Sequence, residues 1–250
     1  MSYAPQEYVL FDDINTFSDL GLYKVTDDIG YPTPTGSMDE LTRYGLLDDQ
    51  IDVEYARREM EFEFRKIDTE PFPEFVTRFT GMVQGRKVKI VRSIDPDYYF
   101  IGRVGVNKYK TVKEIGTLVV DVNAEPFKYG QRKTETIVGA GATLDIDTAF
   151  PTPAVIEITP TTAISSLTIH GVAYDRVTGE DEPIVINNLA ANVKLTIDGE
   201  KKTVTAGGVN RYSDVASMWE FPSFLRSGNK YVSFSNSNVN VAVSYNPRYV

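Results

Sequence analysis

Between Lys87 and Gly130 the chain reads KVKIVRSIDPDYYFIGRVGV, then a polar break, then EIGTLVVDVNAEPFKYG. Three runs within it, residues 88–91, 99–106 and 118–122, alternate apolar and polar side chains. A period of two lines one side of a strand with apolar groups, and Asp95-Pro96-Asp97 and the charged breaks can turn the chain back. The block therefore predicts an antiparallel meander with one buried face. Residues 52–66 carry the same pattern, with Met60, Phe62 and Phe64 on one side and Glu59, Glu61, Glu63 and Arg65 on the other. That run is long for one strand, so a bulge or bend is predicted at 56–58.

One helix accompanies these strands. Within residues 73–84, Phe75, Phe79 and Met82 or Val83 recur at helical spacing and form a single apolar stripe. Pro73 suits a first turn, Glu74 complements the positive end, and Gly85 stops the helix with Arg86 and Lys87 beside its carbonyls. Short strands are predicted at 7–11 and 21–25 around a turn at 15–19, and Pro32 and Pro34 make 30–36 an exposed loop. A lone helix among strands must cover a sheet face. Residues 1–133 are therefore predicted to form a β-sandwich-like domain with one helix.

The texture changes after Pro126-Phe127-Lys128-Tyr129-Gly130. Residues 131–136 are polar and read as a linker. Eight short strands are then predicted, at 142–146, 154–159, 166–170, 183–186, 194–197, 202–205, 231–235 and 239–245. Asp198-Gly199, set between two alternating runs, is the strongest hairpin signal among them. Residues 134–250 thus predict an antiparallel β-sandwich, and the fold class is mainly β.

Charge is unevenly spread over the 250 residues, whose net charge is −9. Residues 1–50 hold ten acids against Lys24 and Arg43, whereas 51–133 are net basic by three. An acidic arm over about 30–50 beside a basic middle suggests complementary surfaces, within a subunit or between neighbours. Clustered Lys and Arg of the kind that grips phosphates are missing, which argues against a tight nucleic-acid binder. With no cysteine there is neither a disulfide nor a thiolate metal site, so toughness would come from oligomerisation. No run approaches the ~18 apolar residues of a membrane span, and no signal-like segment opens the chain, which predicts a cytosolic origin and no membrane contact.

Candidate chemistry is sparse. His170 is the one histidine, and alternation in LTIHG turns it to solvent. One His without Cys rules out a zinc tetrad of the usual ligands, and no Gly-x-Ser-x-Gly elbow presents a serine. Asp145 and Asp147 share a strand face and could stand at glycosidase spacing, although such pairs commonly just solvate a strand. Asp95 and Asp97 read as turn residues, and Glu180 to Glu182 as loop. Gly139-Ala140-Gly141 precedes a strand, so it cradles no phosphate. The expectation is no catalytic residue, no metal and no cofactor.

Several of these segments resemble the distal tail protein of siphophages, the ring-forming hub of the baseplate. FDDINTFSDLGLYK near the start, the 87–130 block and its EPFKYG junction look like that family's N-terminal ring domain. AFPTPAVIEITP, LTIDGEKKTV and MWEFPSFLRSGNKYVSF resemble the opening strand, central hairpin and final stretch of its galectin-like C-terminal sandwich. The resemblance implies a homo-hexameric ring at the virion's tail tip. Such a ring meets the tail tube protein on one side and a tail-associated fiber or lysin-like protein on the other. Receptor-binding or adaptor proteins attach outside, and DNA passes through the bore. With every segment assigned, no inserted carbohydrate-binding module is expected.

For such a ring the strand 52–66 and the arm 30–49 are the expected contact surfaces. The contact residues expected are Asp27, Asp28, Asp48, Asp49, Asp52, Tyr55, Arg57, Arg58 and Glu59. The alternative is a β-sandwich that binds carbohydrate for adhesion. Galectins read sugar with His-x-Asn-Pro-Arg and Trp-x-x-Glu-x-Arg runs. Here Asn246-Pro247-Arg248 lacks the histidine, and Pro222 breaks the run after Trp219. Trp219 is therefore expected to pack with Phe221 and Phe224 inside the sandwich.

Overall fold

The computed structural model describes residues 7–35, 54–67, 70–112, 115–175 and 178–250. The chain divides into two compact units, the first running to Tyr129 and the second covering Gly130–Tyr249.

In the first unit, β1 (Val9–Phe11), β2 (Ile14–Asn15) and β3 (Leu22–Ile29) precede a short pair, β4 (Pro34–Thr35) with β5 (Glu54–Tyr55). Then come β6 (Arg58–Ile67), α1 (Phe72–Val83), β7 (Lys87–Arg92), β8 (Tyr98–Val112), β9 (Ile115–Ala124) and β10 (Lys128–Gly130). Seven strands form an antiparallel sheet in the order β2-β1-β7-β8-β9-β6-β3. The alternation on β6 works as read: Met60, Phe62 and Phe64 are buried, while Glu59, Glu61 and Arg65 face solvent. The expected break lies at Ala56 and Arg57, between β5 and β6. The predicted strand at 99–106 runs on to Val112, past a register shift between Val106 and Lys108.

The sheet is rolled. β1 and β6 stand four positions apart in it, a separation of roughly 19 Å if it were flat, yet the Phe11 and Phe62 rings meet edge-on at 6.2 Å. Helix α1 contributes Phe72, Phe75, Val76, Phe79 and Val83 to this core, with Phe75 and Phe79 stacked at 6.0 Å. No side chain caps its start. Gly85 at φ +71° follows it, and Arg86 N–H bonds back to the Val83 carbonyl. Close packing of helix on sheet requires Gly116, where a Cβ would stand 2.1 Å from the Phe72 ring.

The second unit is a two-sheet sandwich. Its strands are β11 (Lys133–Val138), β12 (Gly141–Ile146), β13 (Thr152–Pro160), β14 (Ile164–His170), β15 (Ile184–Leu189), β16 (Leu195–Asp198) and β17 (Thr203–Ala206). They continue as β18 (Val209–Asn210), β19 (Val215–Ser217), β20 (Ser223–Phe224), β21 (Gly228–Phe234), β22 (Val239–Tyr245) and β23 (Arg248–Tyr249). One sheet runs β11-β22-β13-β16-β17-β18 with β20 beside β13, and the other runs β12-β21-β14-β15-β19. Inward residues of both, such as Ile156, Ile158, Leu167, Ile186, Val232 and Val243, form one core. The fold is mainly β, as the alternation implied.

Three local readings change. The polar run read as linker becomes, from Lys133, an edge strand paired over six residues with β22; an edge needs few inward apolar groups, and Ile137 supplies one. The Asp198-Gly199 hairpin exists, but β16 and β17 are joined by the four residues from Gly199 to Lys202. Asp198 Oδ1 accepts the N–H groups of Glu200 and Lys201, and the positive φ falls at Lys202. Gly199 serves close approach instead, since a Cβ there would lie 2.1 Å from the Pro222 carbonyl oxygen. Trp219 does not pack inside: it is 84% exposed. Phe224 fills the interior against Tyr245 at 5.4 Å and Phe221 lies against Tyr212, so no room remains for an indole.

Two glycines give a paired test. Gly116→Ala must displace Phe72 and is expected to destabilise the protein by about 1–3 kcal/mol. Gly81→Ala, on an exposed position of α1 where a Cβ meets nothing within 4 Å, is expected to stabilise it by roughly 0.5–1 kcal/mol. Urea denaturation of the two variants should move the midpoint in opposite directions.

Candidate functional site

Strand β6 organises the surface that the sequence pointed to. Its inward row begins and ends with a cation. Arg58, 3% exposed, donates through Nε and Nη2 to the Pro126 carbonyl at 3.0 and 2.6 Å and lies 5.0 Å over the Phe100 ring. Lys66, 5% exposed, donates to the Leu20 carbonyl at 2.9 Å and sits 4.6 Å over Phe75. Burial pulls the Arg58 guanidinium below its ordinary pKa, and Arg92 nearby adds to that pull.

Asp27 supplies the main counter-charge on this side of the rolled sheet. It accepts from Arg92 Nη1 at 2.9 Å and lies 3.2 Å from Lys24 Nζ, which also reaches Glu7 at 2.7 Å. Arg92 belongs to β7 and Asp27 to β3, four strands apart along the sheet, so this ion pair ties the roll closed. Burial of Asp27 works against its ionisation, but the hydrogen bonds from Arg92 and Lys24 outweigh it and hold the carboxyl below the usual range.

The expected contact residues therefore separate. Asp27 and Arg58 are engaged within the subunit. Tyr55 packs its ring against Phe127 at 5.7 Å, and Arg57 is exposed and reaches Asn123 Oδ1 at 3.3 Å. Asp28 and Glu59 are exposed on the outer face of the sheet. Asp48, Asp49 and Asp52 lie outside the described residues.

What the sequence reading missed is the row that Asp28 belongs to. Asp28 stands directly opposite Glu61 on β6, and Glu61 directly opposite Asp121 on β9. With Glu59 these residues line an open concavity of about 510 Å³. Among the described residues none of the four makes a salt bridge. The register of three strands creates this row, and no single stretch of sequence displays it.

The chemical candidates fall elsewhere. His170 Nδ1 lies 2.7 Å from Asp181 Oδ2, while Asp181 Oδ1 accepts the Gly171 N–H at 2.6 Å, so the pair fastens a loop to the end of β14. Asp147 is paired with Lys133 at 2.8 Å; that hydrogen bond holds the Asp147 carboxyl low and the Lys133 amine high. Asp145 projects from β12 opposite Asn229. Asp95 sits in the β7–β8 turn, accepting from Lys128 at 3.1 Å. No group of three or more His, Asp or Glu side chains among the described residues is placed to hold a metal ion. No helix among them is long and apolar enough to cross a membrane.

Comparison with known proteins agrees with the fold. Residues 147–249 match the family model described as the C-terminal domain of the siphovirus-type tail component. The second unit belongs to the siphovirus-type tail component family. The distal tail resemblance read from the sequence thus stands. The whole chain shares its fold with the crystal structure of the Dit protein of phage SPP1, described as a hub of the adsorption apparatus in phages infecting Gram-positive bacteria. That alignment has a TM-score of 0.72 at 10% identity and covers 98% of this chain and 99% of that one. The phage P2 baseplate in its calcium-activated conformation also aligns over 98% of both chains, at 9% identity and a TM-score of 0.48. No curated protein sequence matches the chain.

The Asp27 network predicts a pH dependence for this tail component. A carboxyl with a depressed folded-state pKa stabilises the fold above its unfolded pKa of about 3.9, and that contribution disappears as pH falls through the lower folded value. Asp27→Asn should cost about 1.5–3 kcal/mol at pH 7. Denaturation of both proteins as a function of pH should bring their stabilities together only below about pH 4; a constant gap down to pH 2 would mean that the ion pair does not carry the effect.

Proposed function

We propose that the protein is a structural, non-enzymatic subunit of a phage tail tip. Six copies close into a ring that joins the tail tube to the tail-associated fiber or lysin-like protein and leaves a passage for DNA. The second unit, on the outside, offers attachment to receptor-binding or adaptor proteins. Synthesis is in the host cytoplasm, and the working location is the virion.

The observation that carries this reading is fold agreement along 98% of the chain with a protein described as an adsorption hub, beside the tail-component match of the second unit. The side chains accord with a structural role. The single histidine fastens a loop and the acid pairs are solvated or bound to lysine.

Native mass spectrometry with negative-stain imaging tests the ring. The expected result is a closed hexamer in moderate salt. A monomer at high micromolar concentration that also fails to locate at the tip of tail particles would remove the proposal.

One observation favours a second reading, a carbohydrate-binding adhesion module. A galectin-like sandwich that leaves its sole tryptophan 84% exposed offers a sugar ring a face to stack on. If Trp219 serves that purpose, Trp219→Ala should abolish glycan-array binding without altering thermal stability. The structural reading expects no glycan signal from either protein.

A further inference from the structure

Two features of the first unit remain unused by its own fold, and they are complementary. The first is the far end of the β8–β9 hairpin. From Asn107 to Val112 every residue of β8 is exposed, and the end carries Lys108 and Lys110 with Tyr109 (51% exposed), Val112 (54%) and Ile115 (45%). Neither lysine makes an ion pair among the described residues. The second is the outer row of Asp28, Glu61 and Asp121 with Glu59 beside it, where like charges stand directly opposite one another across three strands. Such a row opposes sheet formation unless positive charge lies over it.

One subunit cannot bring its own two features together. Val112 pairs with Ile115 at the hairpin end, and Asp121 lies six residues further along β9, which places the acidic row about 20 Å away on the same stiff strands. The lysines can reach such a row only on another copy. A surface that fits a different surface of an identical copy is a heterologous contact, and repetition with a closing rotation makes a ring.

We infer that the β8–β9 hairpin of one copy docks on the acidic concavity of the next. Lys108 and Lys110 meet Asp28, Glu59, Glu61 and Asp121 there, and Tyr109, Val112 and Ile115 bury apolar surface at the contact. This inference rests on the ring reading and names the contact that closes it. The occupant is a second copy because both halves of the charge pattern are written in the same chain.

Charge exchange tests it. Lys108→Glu with Lys110→Glu gives a copy negative on both surfaces, and Glu59→Lys with Glu61→Lys gives one positive on both. Each pair of substitutions lies at exposed strand positions, and circular dichroism checks that each protein is folded. Alone, either variant is expected to assemble on the order of a hundredfold more weakly than the native chain, because like charges then meet at every contact. An equimolar mixture should assemble into rings of strictly alternating composition, seen by native mass spectrometry. The chain carrying all four substitutions should assemble by itself. If the native chain forms rings and the two variants alone form them equally well, or if mixture and fourfold variant fail to recover assembly, the hairpin contact is wrong while the ring reading survives. A native chain that forms no ring removes both.

Discussion

The first unit depends on one row of side chains. Arg58, Met60, Phe62, Phe64 and Lys66 all point inward from β6, and their order is that of a plug with charged ends. The three central residues hold the rolled sheet against α1; cutting a buried Phe to Ala in such a place costs about 3–5 kcal/mol. The two cations lie where the roll opens. Each spans the rim with its stem, puts its head over an aromatic ring, and donates to a backbone carbonyl that the roll leaves without a ladder partner. A flat sheet would have no rim and no use for either. The Asp27–Arg92 pair then fastens strands that a flat sheet would hold far apart.

Much of this was legible because it obeys strand parity. Glu59, Glu61 and Glu63 against Met60, Phe62 and Phe64 leave no doubt which side of β6 is dry, and the helix stripe of Phe75 and Phe79 is equally plain. Parity also explains what was not legible. Beyond Val106 both faces of β8 are wet, so NKYKTV has no alternation and reads as a break although it is ladder-paired to Val112. Trp219 failed for a related reason: apolar character alone placed it inside, whereas the sandwich interior was already occupied by Phe224.

The candidate contact residues show how finely parity decides. Along β3, Leu22 and Lys24 point inward, and an unbroken strand would continue with Thr26 and Asp28 inside. A register shift between Lys24 and Thr26 adds Val25 as an unpaired residue and reverses the sense, so Asp27 turns in and Asp28 turns out. Two adjacent aspartates, identical in any composition argument, thereby take opposite fates: one is an internal counter-ion and the other joins an uncompensated row. Nothing in TDDI announces the bulge.

Electrostatics inside and outside the sheet follow opposite rules. Inside, every buried cation has been given a carbonyl, a carboxylate or an aromatic face, because a charge left alone in a low-dielectric core costs several kcal/mol. Outside, four carboxylates share one concavity with no cation supplied, and two lysines project from the hairpin with no anion supplied. Water and salt make that arrangement tolerable for a single copy, since the Debye length is about 8 Å at physiological ionic strength. It does nothing for the stability of that copy. A fold that satisfies its interior charges so fully and leaves its exterior charges sorted by sign has separated two tasks: the inner set holds one subunit closed, and the outer set is free to choose a neighbour.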